Sequence, residues 1–412
     1  MRAYTWFSMF VLILLVIPSM FAHGSPSIDK TSIERVKFDL KIRLIMRLCH
    51  LPSASICVIK NDSIVFSDAY GFSNYYLRRK AGKETIYMVG SISKAIIATA
   101  LMQLYEKGKF DLDDNINKYL SFDLKNPYYP NVNITFRMLL AHLASINDFG
   151  IRPLTVLPIM VYSRSKDNTS YIIKEMMIPG GKWYSKRLWL KRYKPGEVAC
   201  YSNQGYVIAG CLLERLSGMP IEEYCKRYIF EPLEMNNTTF SMKNLDKRKV
   251  ARPYSFLAGP YIPLPKYDFY FLDAAAGLYT TAEDLSHFLI AHMNGGVYKG
   301  RRILNESNIR LMHSLQTNST DLILRYMFGG KIKVHHGLGW FIIDFFGMEM
   351  KGHSGGTVGY NCHMLYFENK NHEKIGIVIL SNGPLLEPAV LSQKRVMIGY
   401  LLFLKVLLDS FQ

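Results

Sequence analysis

The chain has 412 residues and a formal net charge of +17, is 49% hydrophobic, and holds six cysteines. That length and apolar content suffice for a sizeable core, and the absence of any repeat, low-complexity tract or long linker points to one globular unit. No nucleic-acid recognition motif accompanies the positive charge, and an export signal stands at the N-terminus, so nucleic acid is excluded as a partner.

At the N-terminus a lone Arg2 precedes the apolar run Trp6 to Ile17, then Pro18 and the small-residue site Ala22-His23-Gly24. Residues 1–24 read as a secretory signal too short for a comfortable membrane span, with an uncleaved membrane anchor as the alternative. Ser53 to Lys60 and Ser63 to Tyr70 are apolar runs separated by Asn61-Asp62, which predicts a hairpin. Gly90 breaks the chain ahead of a helix predicted over Ala95 to Lys107, and Ser91-Ile92-Ser93-Lys94 lies at the junction. A serine and a lysine one helical turn apart pair a nucleophile with a base. The helix N-terminus favours negative charge developing on the hydroxyl oxygen or on the carbonyl it attacks. Taken alone, the same spacing also describes an ordinary solvated surface pair.

In Lys182 to Lys194, lysines and arginines interleave with Trp183, Tyr184, Trp189 and Tyr193. The stretch reads either as a cleft-rim or membrane-surface patch that attracts acidic lipid or envelope polymer, or as a solvated insertion whose aromatics pack inward. Tyr201-Ser202-Asn203 lies between the turn signal Pro195-Gly196 and a helix predicted over Gly205 to Gly218. Residues two apart in an extended segment face one side, so Tyr201 and Asn203 both reach one site. There a phenol beside an ammonium gives up its proton, and a carboxamide holds both the lysine and a substrate amide.

His335-His336 precedes a strand and reads as exposed. His353-Ser354-Gly355-Gly356 follows the apolar Gly339 to Met350 stretch and precedes the strand-like Met364 to Phe367, and glycines on a strand admit another backbone. Lys374 to Leu380 is a further strand, and Val396 to Leu408, interrupted by Lys405, reads as a core helix. Cys49, Cys57, Cys200, Cys211, Cys225 and Cys362 are scattered, as buried thiols or at most one or two disulfides. The histidines are dispersed as well, so neither a metal nor an organic cofactor is expected.

Ser91-x-x-Lys94, Tyr201-x-Asn203 and His353-x-Gly355, in this order, resemble the serine hydrolase family of class C β-lactamases, D-alanyl-D-alanine peptidases, D-aminopeptidases and related esterases. The likeness extends through Gly90 to Asp113, Pro195 to Phe240, Ala274 to Asp284 and Gly337 to Gly383. It implies an α+β fold in which an antiparallel sheet is flanked by helices and carries an inserted, mostly helical lobe. The catalytic domain would span 25–412, with the α/β part at about 25–88 and 270–412 and the lobe at about 89–269. It also implies that Ser91 is acylated, Lys94 accepts its proton, and Tyr201 is the shared acid/base positioned by Asn203. His353 would wall the cleft beside Gly355, and the N–H groups of Ser91 and Gly356 would form the oxyanion hole.

Two departures stand out. His353-Ser354-Gly355 replaces the Lys-Thr-Gly of penicillin-recognising members, so a permanent cation gives way to an imidazole that protonates as pH falls through about 6.5. The sequence His142-Leu143-Ala144-Ser145 replaces His-Thr-Ser-Gly, which predicts an altered loop and a buried, hydrogen-bonded His142. The implied function is a secreted serine hydrolase acting on an ester or a small peptide or D-amino-acid amide. Alternatives are a weak β-lactamase, a D-alanyl-D-alanine carboxypeptidase, and a non-catalytic penicillin-binding-like envelope protein. Specificity would reside in the loops Ile151 to Lys194 and Tyr254 to Phe271.

Overall fold

The computed structural model describes residues 33–151, 169–256, 259–327, 333–345, 348–383, 405–407 and 410. The expected hairpin is present: β1 (Ser53–Lys60) and β2 (Ser63–Asn74) join through Asn61, whose φ of 56° lies in the left-handed region that asparagine tolerates. Along β1, Ala54, Ile56 and Val58 enter one apolar cluster while Cys57 and Ile59 enter another, the period of two that puts alternate residues on opposite faces. β3 (Arg79–Lys80), β4 (Lys333–His336), β5 (Phe341–Phe345), β6 (Met348–Thr357), β7 (Tyr360–Glu368) and β8 (Lys374–Asn382) complete one antiparallel sheet. Its order is β4-β5-β6-β7-β8-β1-β2-β3. Because β1 pairs with β8, with Ile56 opposite Ile379, the sheet is joined from an early and a late segment of the chain.

Helices cover both faces. Helix α1 (Ile33–Leu48) lays Phe38, Ile42, Ile45 and Met46 on Ile56, Val58, Ile377 and Ile379. On the opposite side lie α2 (Ser93–Glu106), α3 (Asn203–Ser217) and α4 (Ala282–Met293). Every residue of α2 from Ser93 to Leu104 is buried. A helix buried all round lies at the centre of a fold, so the residue at its start is held by the core and not by a surface loop.

The helices expected after Gly90 and at Gly205 each begin two residues earlier than predicted, at Ser93 and Asn203. In the second case the Ser202 hydroxyl accepts the Gly205 N–H at 3.1 Å and fixes the start, while Gly218, at φ 70°, ends the helix. His336 corrects the sequence reading: it lies within β4, is buried, and its Nε2 is 2.9 Å from the buried Asp321 carboxylate. Trp183 and Trp189 both pack into the main core. The six cysteines are buried free thiols. Residues 1–24 and most of Val396 to Leu408 lie outside the described residues; Lys405 to Leu407 are helical, and Leu407 is buried in the α1 cluster. Among the described residues no helix is long and apolar enough to cross a membrane.

Candidate active site

Three backbone segments meet at the start of α2. The first is a tight turn, Gly90–Ile92, entered with Gly90 at φ 55°. The Ser93 hydroxyl donates to the Gly90 carbonyl at 2.6 Å and accepts the Leu278 N–H at 3.1 Å, which pins the turn and leaves the adjacent Ser91 half-buried and open to the cleft.

The second segment is the end of β6. Strand β5 pairs with β6 only as far as Gly352, and beyond it the Val89 to Ser91 turn packs against β6 instead. A Cβ on Gly355 would stand 1.8 Å from the Val89 carbonyl oxygen and 3.0 Å from the Ser91 nitrogen. One on Gly90 would stand 3.0 Å from the Gly356 nitrogen. Both glycines are therefore required for the close approach, which lays Gly355 against the Ser91 nitrogen and Gly90 against the Gly356 nitrogen.

The third segment is Tyr201-Ser202-Asn203. The N–H of Cys200 donates to the His142 carbonyl at 2.8 Å and that of Ser202 donates to His142 Nδ1 at 3.0 Å, so one histidine grips the backbone on both sides of Tyr201. The ring of His142 lies 4.4 Å from that of Tyr201. The buried histidine expected at 142 is thus a positioning residue. Ser145 adopts φ 58°, so the loop keeps a glycine-like conformation without its glycine. The Ser145 hydroxyl donates to the Tyr193 carbonyl at 2.6 Å and accepts from Asn126 at 2.8 Å, contacts that hold the strained residue in place.

Lys94 joins the three segments. Its Nζ, fully buried, is 3.0 Å from Ser91 Oγ, 2.7 Å from Asn203 Oδ1 and 2.7 Å from the Ala275 carbonyl oxygen. The last two partners can only accept, so in the neutral amine they take both N–H groups and the lone pair faces the Ser91 hydroxyl. Burial lowers the Lys94 pKa to about 7, partly opposed by the Asp148 charge, which makes the neutral form accessible near physiological pH.

Burial drives the Tyr201 pKa well up and outweighs the opposing influence of the Ser91 side chain. Tyr201 therefore keeps its proton, contrary to the expectation that it ionises beside an ammonium: a dry site penalises the phenolate more than the neutral amine.

His353 also differs from expectation. It is buried, stacked on Phe341 at 4.1 Å, and its Nδ1–H donates to the Ser354 carbonyl at 2.7 Å. A neutral imidazole so bonded carries only an acceptor on Nε2, which has no partner. Burial, with a smaller contribution from Lys94, pushes its pKa well below the usual histidine value, so it does not titrate near pH 6.5.

Sequence reasoning missed Asp148 and Ala275. The Asp148 carboxylate accepts from the Ser202 hydroxyl at 2.6 Å, the Asn203 N–H at 2.5 Å and the Gln204 N–H at 3.3 Å, capping α3 where the helix dipole favours an anion. A lone acid 55 residues from the helix it caps has no local signature. Ala275 acts through its backbone, which residue type does not encode; the block from Ala274 to Asp284 that contains it drew notice without a role for this carbonyl.

Comparison with known proteins agrees with this geometry. The family model described as Beta-lactamase matches residues 38–399. Protein flp of Staphylococcus aureus (strain MW2) is 23% identical over 334 residues, which cover 81% of this chain and 60% of that protein, so the match spans less than two thirds of this relative's length. The octameric penicillin-binding protein homologue from Pyrococcus abyssi superposes with a TM-score of 0.69 at 27% identity, over 90% of this chain and 78% of that one. D-amino acid amidase from Ochrobactrum anthropi SV3 superposes with a TM-score of 0.64 at 19% identity, over 91% of this chain and all of that one, a likeness of fold. With the antiparallel sheet, the helices that flank it and the extent of the match all in agreement, the chain belongs to the Beta-lactamase family of serine hydrolases.

Proposed function

We propose that the chain is a secreted serine hydrolase that turns over an ester, or a small peptide or D-amino-acid amide, through an acyl-enzyme on Ser91. The observation that carries this reading is the placement of Lys94, whose two obligate acceptors leave its lone pair for the Ser91 hydroxyl. In the proposed reaction Lys94 takes the Ser91 proton as Oγ bonds to the substrate carbonyl carbon. The backbone N–H groups of Ser91 and Gly356 receive the negative charge on the carbonyl oxygen. The tetrahedral species then collapses as the Tyr201 hydroxyl protonates the departing alkoxide or amine, and Tyr201 regains a proton from the Lys94 ammonium. Water attacks the ester and gives its proton to the same pair, which releases the acid and restores Ser91. Asn203 holds Lys94 through Oδ1, which leaves its amide N–H groups for the substrate.

His353 supports the choice among substrates. A neutral ring with an acceptor on Nε2 supplies no positive charge for a carboxylate, and this favours uncharged esters and amides over penicillins. Export is supported by the apolar run Trp6 to Ile17 and the small-residue site after it. The test is a side-by-side measurement of kcat/KM on p-nitrophenyl butyrate, D-alanine amide and a chromogenic cephalosporin. Turnover of the ester or amide at least about tenfold above the cephalosporin, roughly 1.4 kcal/mol in activation free energy, supports the reading. Preference for the cephalosporin, or no turnover of any of the three, overturns it.

A further inference from the structure

Helix α1 is apolar on the face that meets the sheet and apolar again on the face that does not. Val36, Leu40, Leu44 and Leu48, spaced by four, are 52%, 61%, 57% and 40% exposed. That spacing makes a continuous stripe roughly 18 Å long. Interleaved with it are four exposed cations, Lys37, Lys41, Arg43 and Arg47. Asp39, the acid between Val36 and Leu48, is engaged by Arg35 and Tyr70.

A second exposed element has the same composition. Between β2 and β3, Tyr76 and Leu77 are 56% and 68% exposed and run directly into exposed Arg78, Arg79 and Lys80. A chain of rings links it to the end of α1: His50 stacks on Phe256 at 3.7 Å, Phe256 meets Tyr261 at 5.6 Å, and Tyr261 meets Tyr75 at 4.8 Å. In the basic Lys182 to Lys194 stretch, by contrast, both tryptophans are buried.

We propose that the outer face of α1, together with the Tyr76-Leu77 tip, docks the protein onto an anionic lipid surface, independently of the catalytic cleft. Apolar side chains with flanking lysine and arginine are what an interfacial helix presents to acyl chains and acidic headgroups. Tyrosine beside basic residues is favoured at the same depth. A second copy of the chain is a poorer occupant, because a two-fold dimer sets a patch against itself and would bring the four cations of each helix together. The apolar run Trp6 to Ile17 stands upstream of α1, so an export or anchoring signal and a lipid-facing helix are consecutive in the sequence.

The test is co-sedimentation of the full chain with vesicles of phosphatidylcholine containing 30 mol% phosphatidylserine, and with pure phosphatidylcholine, at low and high salt. Binding is expected to the anionic vesicles only and to weaken with salt. Lys37→Ala and Lys41→Ala should each lower partitioning about fivefold. Leu40→Glu combined with Leu44→Glu, both on the exposed face, should lower it more than about tenfold with an unchanged melting temperature. Equal binding to neutral vesicles, undiminished binding of the Leu40/Leu44 variant, or no binding of the parent chain would overturn the proposal. So would a dimer in light scattering that the same variant dissociates, since the second copy would then be the occupant.

Discussion

Asn203→Asp tests whether the neutral form of Lys94 limits acylation. The substitution is isosteric and places a carboxylate oxygen where Oδ1 now stands, 2.7 Å from Lys94 Nζ. At an effective dielectric of about 20, a charge pair at that distance is worth about 6 kcal/mol. Desolvating the new carboxylate offsets several kcal/mol of it, which leaves a surplus on the order of 2 kcal/mol for the ammonium form. That surplus corresponds to about 1.5 pKa units. The acid limb of activity, set by Lys94 at about 7, should move up to roughly 8.5. The sign follows from the mechanism: activity needs the unprotonated amine, so favouring the ammonium shifts the rise in rate to higher pH. At pH 7 the reactive fraction falls from about one half to about one thirtieth, a loss of roughly fifteenfold in acylation rate that is regained as pH rises toward 9. Stopped-flow acylation by a p-nitrophenyl ester between pH 6 and 9.5 measures it directly. An acid limb that stays in place, or a loss that alkali does not restore, would refute Lys94 as the base.

Gly355→Ala should cost about 1–3 kcal/mol in urea unfolding, and should cut acylation more than about a hundredfold, because its Cβ meets the Val89 carbonyl at the Ser91 turn. Penicillin acylation relative to that of a neutral ester should be flat from pH 8 to pH 6, since His353 protonates well below the usual range; a ratio that climbs through pH 6.5 would restore the sequence-based expectation. Ser145→Gly should be more stable than Ser145→Ala by about 1 kcal/mol, since both lose the bonds to Tyr193 and Asn126 but only glycine relieves the left-handed backbone. Equal unfolding midpoints would show that φ 58° carries no strain there.

What was legible in the sequence is what short-range geometry encodes. Ser91 and Lys94 are three residues apart across the start of a buried helix, and Tyr201 and Asn203 are two apart at a capped helix start, so spacing alone brings each pair to one side. Gly355 of β6 was legible for a similar reason, since the Val89 carbonyl oxygen lies 1.8 Å from where a Cβ would sit and excludes every other residue type. Contacts closed through space were not. The exposure expected of His336 failed because Asp321, 15 residues earlier, provides a buried partner that makes an interior imidazole tolerable. The donor and acceptor roles of His353 were equally hidden, since they are set by a single backbone carbonyl, and the protonated state of Tyr201 depends on how dry the closed site is. Strand and helix patterning supplied single elements such as the β1–β2 hairpin, whereas the fold class was implied only by the family resemblance, since a long-range closure such as the pairing of β1 with β8 lies in no local window.

The central claim is that Ser91 is the atom-bearing nucleophile of a covalent reaction. Intact-mass spectrometry after brief mixing with p-nitrophenyl acetate, followed by acid quench and peptide mapping, reads it most directly. A single acetyl adduct on Ser91, absent in a folded Ser91→Ala protein, is the predicted result. An adduct on another residue, or ester turnover that survives Ser91→Ala, would contradict it.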